Sequence, residues 1–139
     1  VPGEARPQVI LVDTSAYFAL VDSADRHHVA AVGFVRSNTV PLATTDLIVV
    51  EALNLTRVRL GHSPAVRLGR RLLNPVLTTV LKVAEQDMSR AWQLFQRYRD
   101  KEFSFTDCTS FALMERMRIT TAFAFDIHFR QYGRFTIVP

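Results

Sequence analysis

Apolar and polar positions divide this chain into runs of two kinds, and the runs alternate. Val9-Ile10-Leu11-Val12 is an unbroken apolar stretch, mostly β-branched, that halts on Asp13. Such a run reads as a strand buried on both faces, as at the centre of a parallel sheet. Three more strands follow from short apolar stretches at Thr39–Ala43, Val76–Val83 and Thr120–Phe125, and a fifth from Phe135–Val138. Pro41 places the second of these at a sheet edge or a strand end. Between them, helices are expected over Ser15–Val21, over His27–Val35 on a Val29/Val32/Val35 stripe, and over Leu47–Leu60 behind the opener Thr44-Thr45-Asp46. Ser63 before Pro64 starts a further helix that Asn74-Pro75 ends, and Asp87 caps another with Trp92, Leu94, Phe95 and Tyr98 at helical spacing. Trp92, Phe95 and Tyr98 read most simply as core. A last helix is expected from Asp107 to about Arg118. Strands alternating with helices predict an α/β fold with a mainly parallel sheet of four to five strands and right-handed crossovers.

The 139 residues suit one domain, expected over 9–139 behind a loose tail at 1–8. Hydrophobic residues at 48% against 22% charged exclude a disordered chain, and no apolar run is long enough to span a membrane. A lone cysteine, Cys108, excludes an internal disulfide framework and a Cys/His zinc site, and fits a reducing cytoplasm. Net charge of +4 favours an anionic partner, nucleic acid first.

Four acids interrupt apolar surroundings. Asp13 and Asp126 each end a buried strand, and Asp107 lies in the aromatic stretch Phe103–Phe111. Glu51 sits mid-helix with Leu47, Ile48, Asn54 and Leu55 as its neighbours at i±3 and i±4, so no cation on its own helix can pair with it. Singly, each acid is as well explained by a cap, a turn or a remote salt bridge. Jointly, two strand ends and two helices of one parallel sheet can bring all four together, where like charges at about 4 Å repel by several kcal/mol. A divalent cation removes that repulsion, and all-oxygen ligation points to Mg²⁺ or Mn²⁺. Such ions serve phosphodiester hydrolysis, and a basic protein around an acidic site suits a nuclease.

The segments VILVDTSAYFAL, TTDLIVVEAL, FSFTDCTSFALMER and AFAFDIHFRQYGRF, in this order over Val9 to Val138, resemble the PIN-domain proteins and, more closely, the VapC toxins of toxin–antitoxin pairs. The resemblance implies a three-layer α/β/α sandwich and a Mg²⁺- or Mn²⁺-dependent endoribonuclease cutting tRNA, rRNA or mRNA. It carries over Asp13, Glu51 and Asp107 as metal ligands, Asp126 as a ligand directly or through water, and Ser15 and Ser110 as supports. It also implies a homodimer and a co-expressed antitoxin covering the active groove. Arg130 and Arg134, near Asp126 in sequence, are candidates for RNA contact; so are Arg67 and Arg70, although a solvated helix face explains that pair equally well. His128 reads as a surface histidine beside the site, with a general-acid or RNA contact as the sharper alternative. Competing functions are a non-catalytic RNA-binding module and an RNA-processing nuclease that is not a toxin. An aspartyl phosphotransferase would need an acid at position 15, where Ser15 stands, and a receiver domain an acidic pair that Val9–Asp13 does not supply.

Overall fold

In the computed structural model, which describes residues 8–139, five strands form one all-parallel sheet in the order β3-β2-β1-β4-β5. The strands are β1 (Ile10–Val12), β2 (Leu42–Thr45), β3 (Thr79–Leu81), β4 (Thr121–Phe123) and β5 (Thr136–Val138). Seven helices flank them: α1 (Thr14–Val21), α2 (His28–Ser37), α3 (Asp46–Leu60), α4 (His62–Leu72), α5 (Glu85–Arg97), α6 (Phe105–Met117) and α7 (His128–Tyr132). The start of the expected N-terminal tail, residues 1–7, lies outside the described residues.

Side chains alternate across a strand, and both faces of β1 are covered. Leu11 packs with Ile48, Leu94, Phe111 and Met114 on one face, whereas Ile10 and Val12 pack with Ala16, Ala19, Ala31 and Phe123 on the other. This two-sided burial is why the run Val9–Val12 contains no polar residue. A third cluster, Val49, Ala52, Leu68 and Leu72, joins α3 to α4.

Several element expectations need correction. β2 lies three residues later than expected at its start, because Thr44 and Thr45 belong to the strand. Thr44 Oγ1 donates to the Val12 carbonyl at 3.0 Å, and Thr45 ends β2 while its hydroxyl accepts the Ile48 N–H at 3.0 Å as the α3 cap. β3 keeps only three of the eight expected residues; Val76 and Leu77 sit exposed in the turn before it. Asp87 is inside α5 rather than at its cap, and its carboxylate accepts the Ala84 N–H at 2.9 Å.

The buried stripes of α2 and α5 are also displaced from the expected ones. α2 buries Ala31 and leaves Val29 and Val35 exposed. α5 buries Asp87, Ala91 and Leu94, so Trp92 and Phe95 face outward at 55% and 43% exposure. The buried Asp87 takes a bidentate pair from Arg116 of α6, at 2.7 and 2.8 Å, which locks the most extensive helix–helix contact of the fold. Burial alone would raise the Asp87 pKa, but the Arg116 hydrogen bonds, the Ala84 N–H and the guanidinium charge hold it below the usual carboxylate range.

β1 connects outward to β2 and β3, and the chain then returns to the other side of β1 for β4 and β5. The strand order therefore reverses between β1 and β4. The crevice beyond the carboxyl ends of these two strands is the standard place for a ligand in an open parallel sheet. Asp13 follows β1 directly, and Asp126 follows β4 by three residues.

Candidate metal centre

Asp13 caps α1. Its Oδ2 accepts the Ser15 hydroxyl at 2.8 Å and the Ser15 N–H at 3.3 Å, and the same hydroxyl accepts the Phe125 N–H at 3.0 Å. Ser15 thereby ties the end of β1 to the segment carrying Asp126. Asp107 occupies the third position of α6. Its Oδ2 accepts the Ser104 N–H at 2.9 Å, and Ser104 Oγ accepts the Asp107 N–H at 3.0 Å, a reciprocal cap that sets the carboxylate at the helix start. Glu51 projects from α3 into a cleft of about 420 Å³ that Asp126, Thr14, Ser15 and Phe125 also line.

Charge shows how close the acids come. Asp13, only 2% exposed, has its pKa raised well above the usual value by burial, then by the charges of Asp126 and Asp107, against the opposing pull of Ser15. Asp107, 4% exposed, is pushed up to about 6, chiefly by burial, with Asp126 and Glu51 adding to it and Ser104 and His128 opposing it. All four acids therefore belong to one electrostatic cluster. Among the described residues no lysine or arginine makes an ion pair with any of them. Thr14 Oγ1, buried beside the cleft, has no hydrogen-bond partner there either. Converging carboxylates without a protein cation suit a hard divalent ion. Asp107, Asp126 and His128 alone place potential ligand atoms within 4.8 Å of one another, so the cluster could hold a metal ion.

The remaining sequence candidates fall in different places. Ser110 is fully buried one turn beyond Asp107, and its hydroxyl has no partner among the described residues. Arg130 is exposed on α7. Arg134 pairs with Glu115 at 3.4 Å and lies over the Tyr132 ring. Arg67 donates to Ser63 at 2.9 Å on the outer face of α4, and Arg70 lines a groove between α3 and α4 rather than the acidic cleft. The arginines that do line the cleft are Arg26 and Arg59, the latter 5.4 Å from the Phe18 ring centre. Asp25, and His27 stacked on Phe125 at 4.6 Å, complete its wall. Neither Arg26 nor His27 was signalled by the sequence, because both lie in the aperiodic turn before α2.

His128 is not the surface histidine that its position in the sequence suggests: its Nδ1 is 2.7 Å from Asp107 Oδ2. Cys108 stays a buried thiol, raised to about 11 by burial and then by Asp107.

The PIN domain family matches residues 10–135. The chain is 32% identical over 131 residues to the 23S rRNA-specific endonuclease VapC20 of Mycobacterium tuberculosis, an alignment covering 94% of this chain and 99% of that protein. It is 25% identical over 136 residues to the ribonuclease VapC26 of the same organism, across 94% of this chain and all of the relative. The crystal structure of VapC20, described as a sarcin–ricin-loop-cleaving toxin, superposes with a TM-score of 0.86 over 94% of this chain and 99% of that one. The DNA-bound VapBC complex of Salmonella typhimurium shares the fold at 10% identity and a TM-score of 0.68, covering 95% of this chain and 97% of that one. With the parallel sheet and the acids gathered at its switch point, these likenesses make the chain a member of the PIN-domain family, among its VapC-type ribonucleases.

Proposed function

We propose that this protein is an endoribonuclease toxin that cuts a structured RNA, with ribosomal RNA the first candidate, at a site where Asp13, Glu51, Asp107 and Asp126 hold Mg²⁺ or Mn²⁺. The observation that carries this reading is the convergence of four acids at the sheet's switch point with no lysine or arginine among the described residues paired to them. A divalent cation, when bound, supplies Lewis acidity at the scissile phosphate and makes water a stronger acid. The chain's own residues do the rest. Ser15 holds the Asp13 carboxylate, the Ser104 cap holds Asp107, and burial behind them excludes bulk water. Arg26 and Arg59, on the cleft wall, are placed to meet the RNA backbone. The rRNA assignment rests on VapC20, and a cognate antitoxin, acting with the toxin in the cytoplasm, follows from the toxin reading. The described residues contain no helix long and apolar enough to cross a membrane.

Purified protein freed of antitoxin is expected to give discrete fragments of total RNA with Mg²⁺ or Mn²⁺, and none with chelator or as Asp107→Asn. Fragments that persist in chelator would remove the metal-dependent mechanism, and none from a folded, metal-loaded protein would leave an RNA-binding module. Cleavage without growth arrest on expression would leave a processing nuclease.

The same reading includes a homodimer. Met88, Trp92 and Phe95 form one exposed stripe on α5, continued by Phe105, whose ring is 5.8 Å from Phe95, towards a mainly apolar groove of about 500 Å³ whose lining includes Leu47, Val50 and Val58 with Glu51 and Asn54. A contiguous apolar face of this kind suits a second copy of the chain better than water. Sedimentation should give a dimer for the wild type and a monomer for Trp92→Glu/Val50→Glu. A monomeric wild type at micromolar concentration would end this part of the proposal.

A further inference from the structure

His128 grips two of the four acids at once. Its backbone N–H donates to Asp126 Oδ1 at 3.1 Å, and its ring Nδ1 lies 2.7 Å from Asp107 Oδ2 but 4.0 Å from Asp126 Oδ1. Asp107 Oδ2 also accepts the Ser104 N–H at 2.9 Å, so both close contacts fall on this one oxygen. Asp107 Oδ1 has no hydrogen-bond partner among the described residues. The imidazole is itself held, meeting the Phe103 ring at 5.8 Å and 75°.

We propose that His128 is a positioning residue of the metal centre: its ring Nδ1, at 2.7 Å, and the Ser104 N–H together hold Asp107 by one oxygen and leave Oδ1 as the oxygen free to bind the cation. This rests on the reading of the four acids as a metal site. Direct ligation by Nδ1 is the less economical use of the same ring, because a hard cation such as Mg²⁺ or Mn²⁺ favours carboxylate oxygen over imidazole nitrogen. Holding a ligating carboxylate by its second oxygen lets it meet the cation in one preset orientation, which is how outer groups raise metal affinity. The residue also couples two elements, since α7 begins at His128 and the backbone contact holds Asp126 behind β4.

The test is Mn²⁺ affinity of the full chain by calorimetry, with circular dichroism to check the fold. Asn places an amide N–H close to where Nδ1 sits, whereas Gln places one farther out, and neither disturbs the backbone contact to Asp126. Against wild type, His128→Ala and His128→Gln are expected to weaken Mn²⁺ binding about 10- to 100-fold, and His128→Asn by no more than about threefold. Asp107→Asn, run alongside, should abolish most of the binding. Wild-type affinity in folded His128→Ala overturns the positioning role while leaving the metal centre intact. Loss in His128→Asn as deep as in His128→Ala overturns it in favour of direct ligation by the ring. Absence of Mn²⁺ binding by the wild type overturns the metal-centre reading, and this inference with it.

Discussion

Asp13→Asn is expected to lower RNA cleavage by about 10³-fold or more, which at 1.36 kcal/mol per decade is about 4 kcal/mol of transition-state stabilisation. The same substitution should raise the unfolding temperature of the metal-free protein at neutral pH. The two effects have one cause. Asp13 is buried against Asp107 and Asp126, so its charge is penalised by desolvation and by repulsion, and only the Ser15 contacts oppose this. The amide oxygen of Asn can still accept the Ser15 hydroxyl and N–H, so the α1 cap survives. Its NH₂ group replaces an anionic oxygen near two other anions and relieves the repulsion. What is lost is the charge that a cation needs. Paired measurements of initial cleavage rate with Mn²⁺ and of thermal unfolding in chelator would decide the matter. A variant that is inactive and also less stable than wild type would mean that Asp13 acts as a structural cap rather than as part of a strained anionic site.

Much of this site is legible in the sequence because strain of this sort leaves a mark. A buried strand has no use for a terminal carboxylate, so Asp13 after Val12 and Asp126 after Phe125 stand out, and a parallel sheet puts such strand ends on one side. Glu51 stands out in the same way among apolar neighbours on α3. His128 does not. The helix that presents it has five residues, too few for a period, and a histidine after Asp-Ile has an ordinary place on a surface. Arg26 and His27 are hidden for a related reason: which turn closes over a strand end depends on how α2 docks, and no local pattern encodes that. Spacing also says which residues share a helix face without saying which face is buried. On α5 the stripe Met88, Trp92 and Phe95 is as regular as Asp87, Ala91 and Leu94, and it carries more apolar area. The core takes the second stripe because Arg116 neutralises Asp87, an interaction across 29 positions of sequence. The larger stripe is then left exposed.

Removing the metal should reverse the way stability depends on pH. In chelator, Asp107 has a folded-state pKa of about 6 against an ordinary value of 3.8. Between these the folded state binds more protons than the unfolded one, so this contribution is fully present below pH 3.8 and is lost as pH rises through about 6. At 1.36 kcal/mol per pH unit the loss is about 3 kcal/mol. Asp13, raised for the same reasons, acts in the same direction and carries the loss further towards neutrality. Asp87 acts oppositely, since its lowered pKa gives stability that is present above 3.8 and disappears only in stronger acid. Metal-free protein should therefore be most stable near pH 4–5 and weaken towards pH 7.5. With saturating Mn²⁺ the cation binds the deprotonated carboxylates, so stability should instead rise over this interval, by RT ln(1 + [Mn²⁺]/Kd) at each pH. Urea titrations from pH 4.5 to 7.5, with chelator and with Mn²⁺, would trace both curves. Two curves of the same slope would mean that the acids neither repel one another in the free protein nor share a cation, and the account of the cluster as a charge-strained metal site would have to be given up.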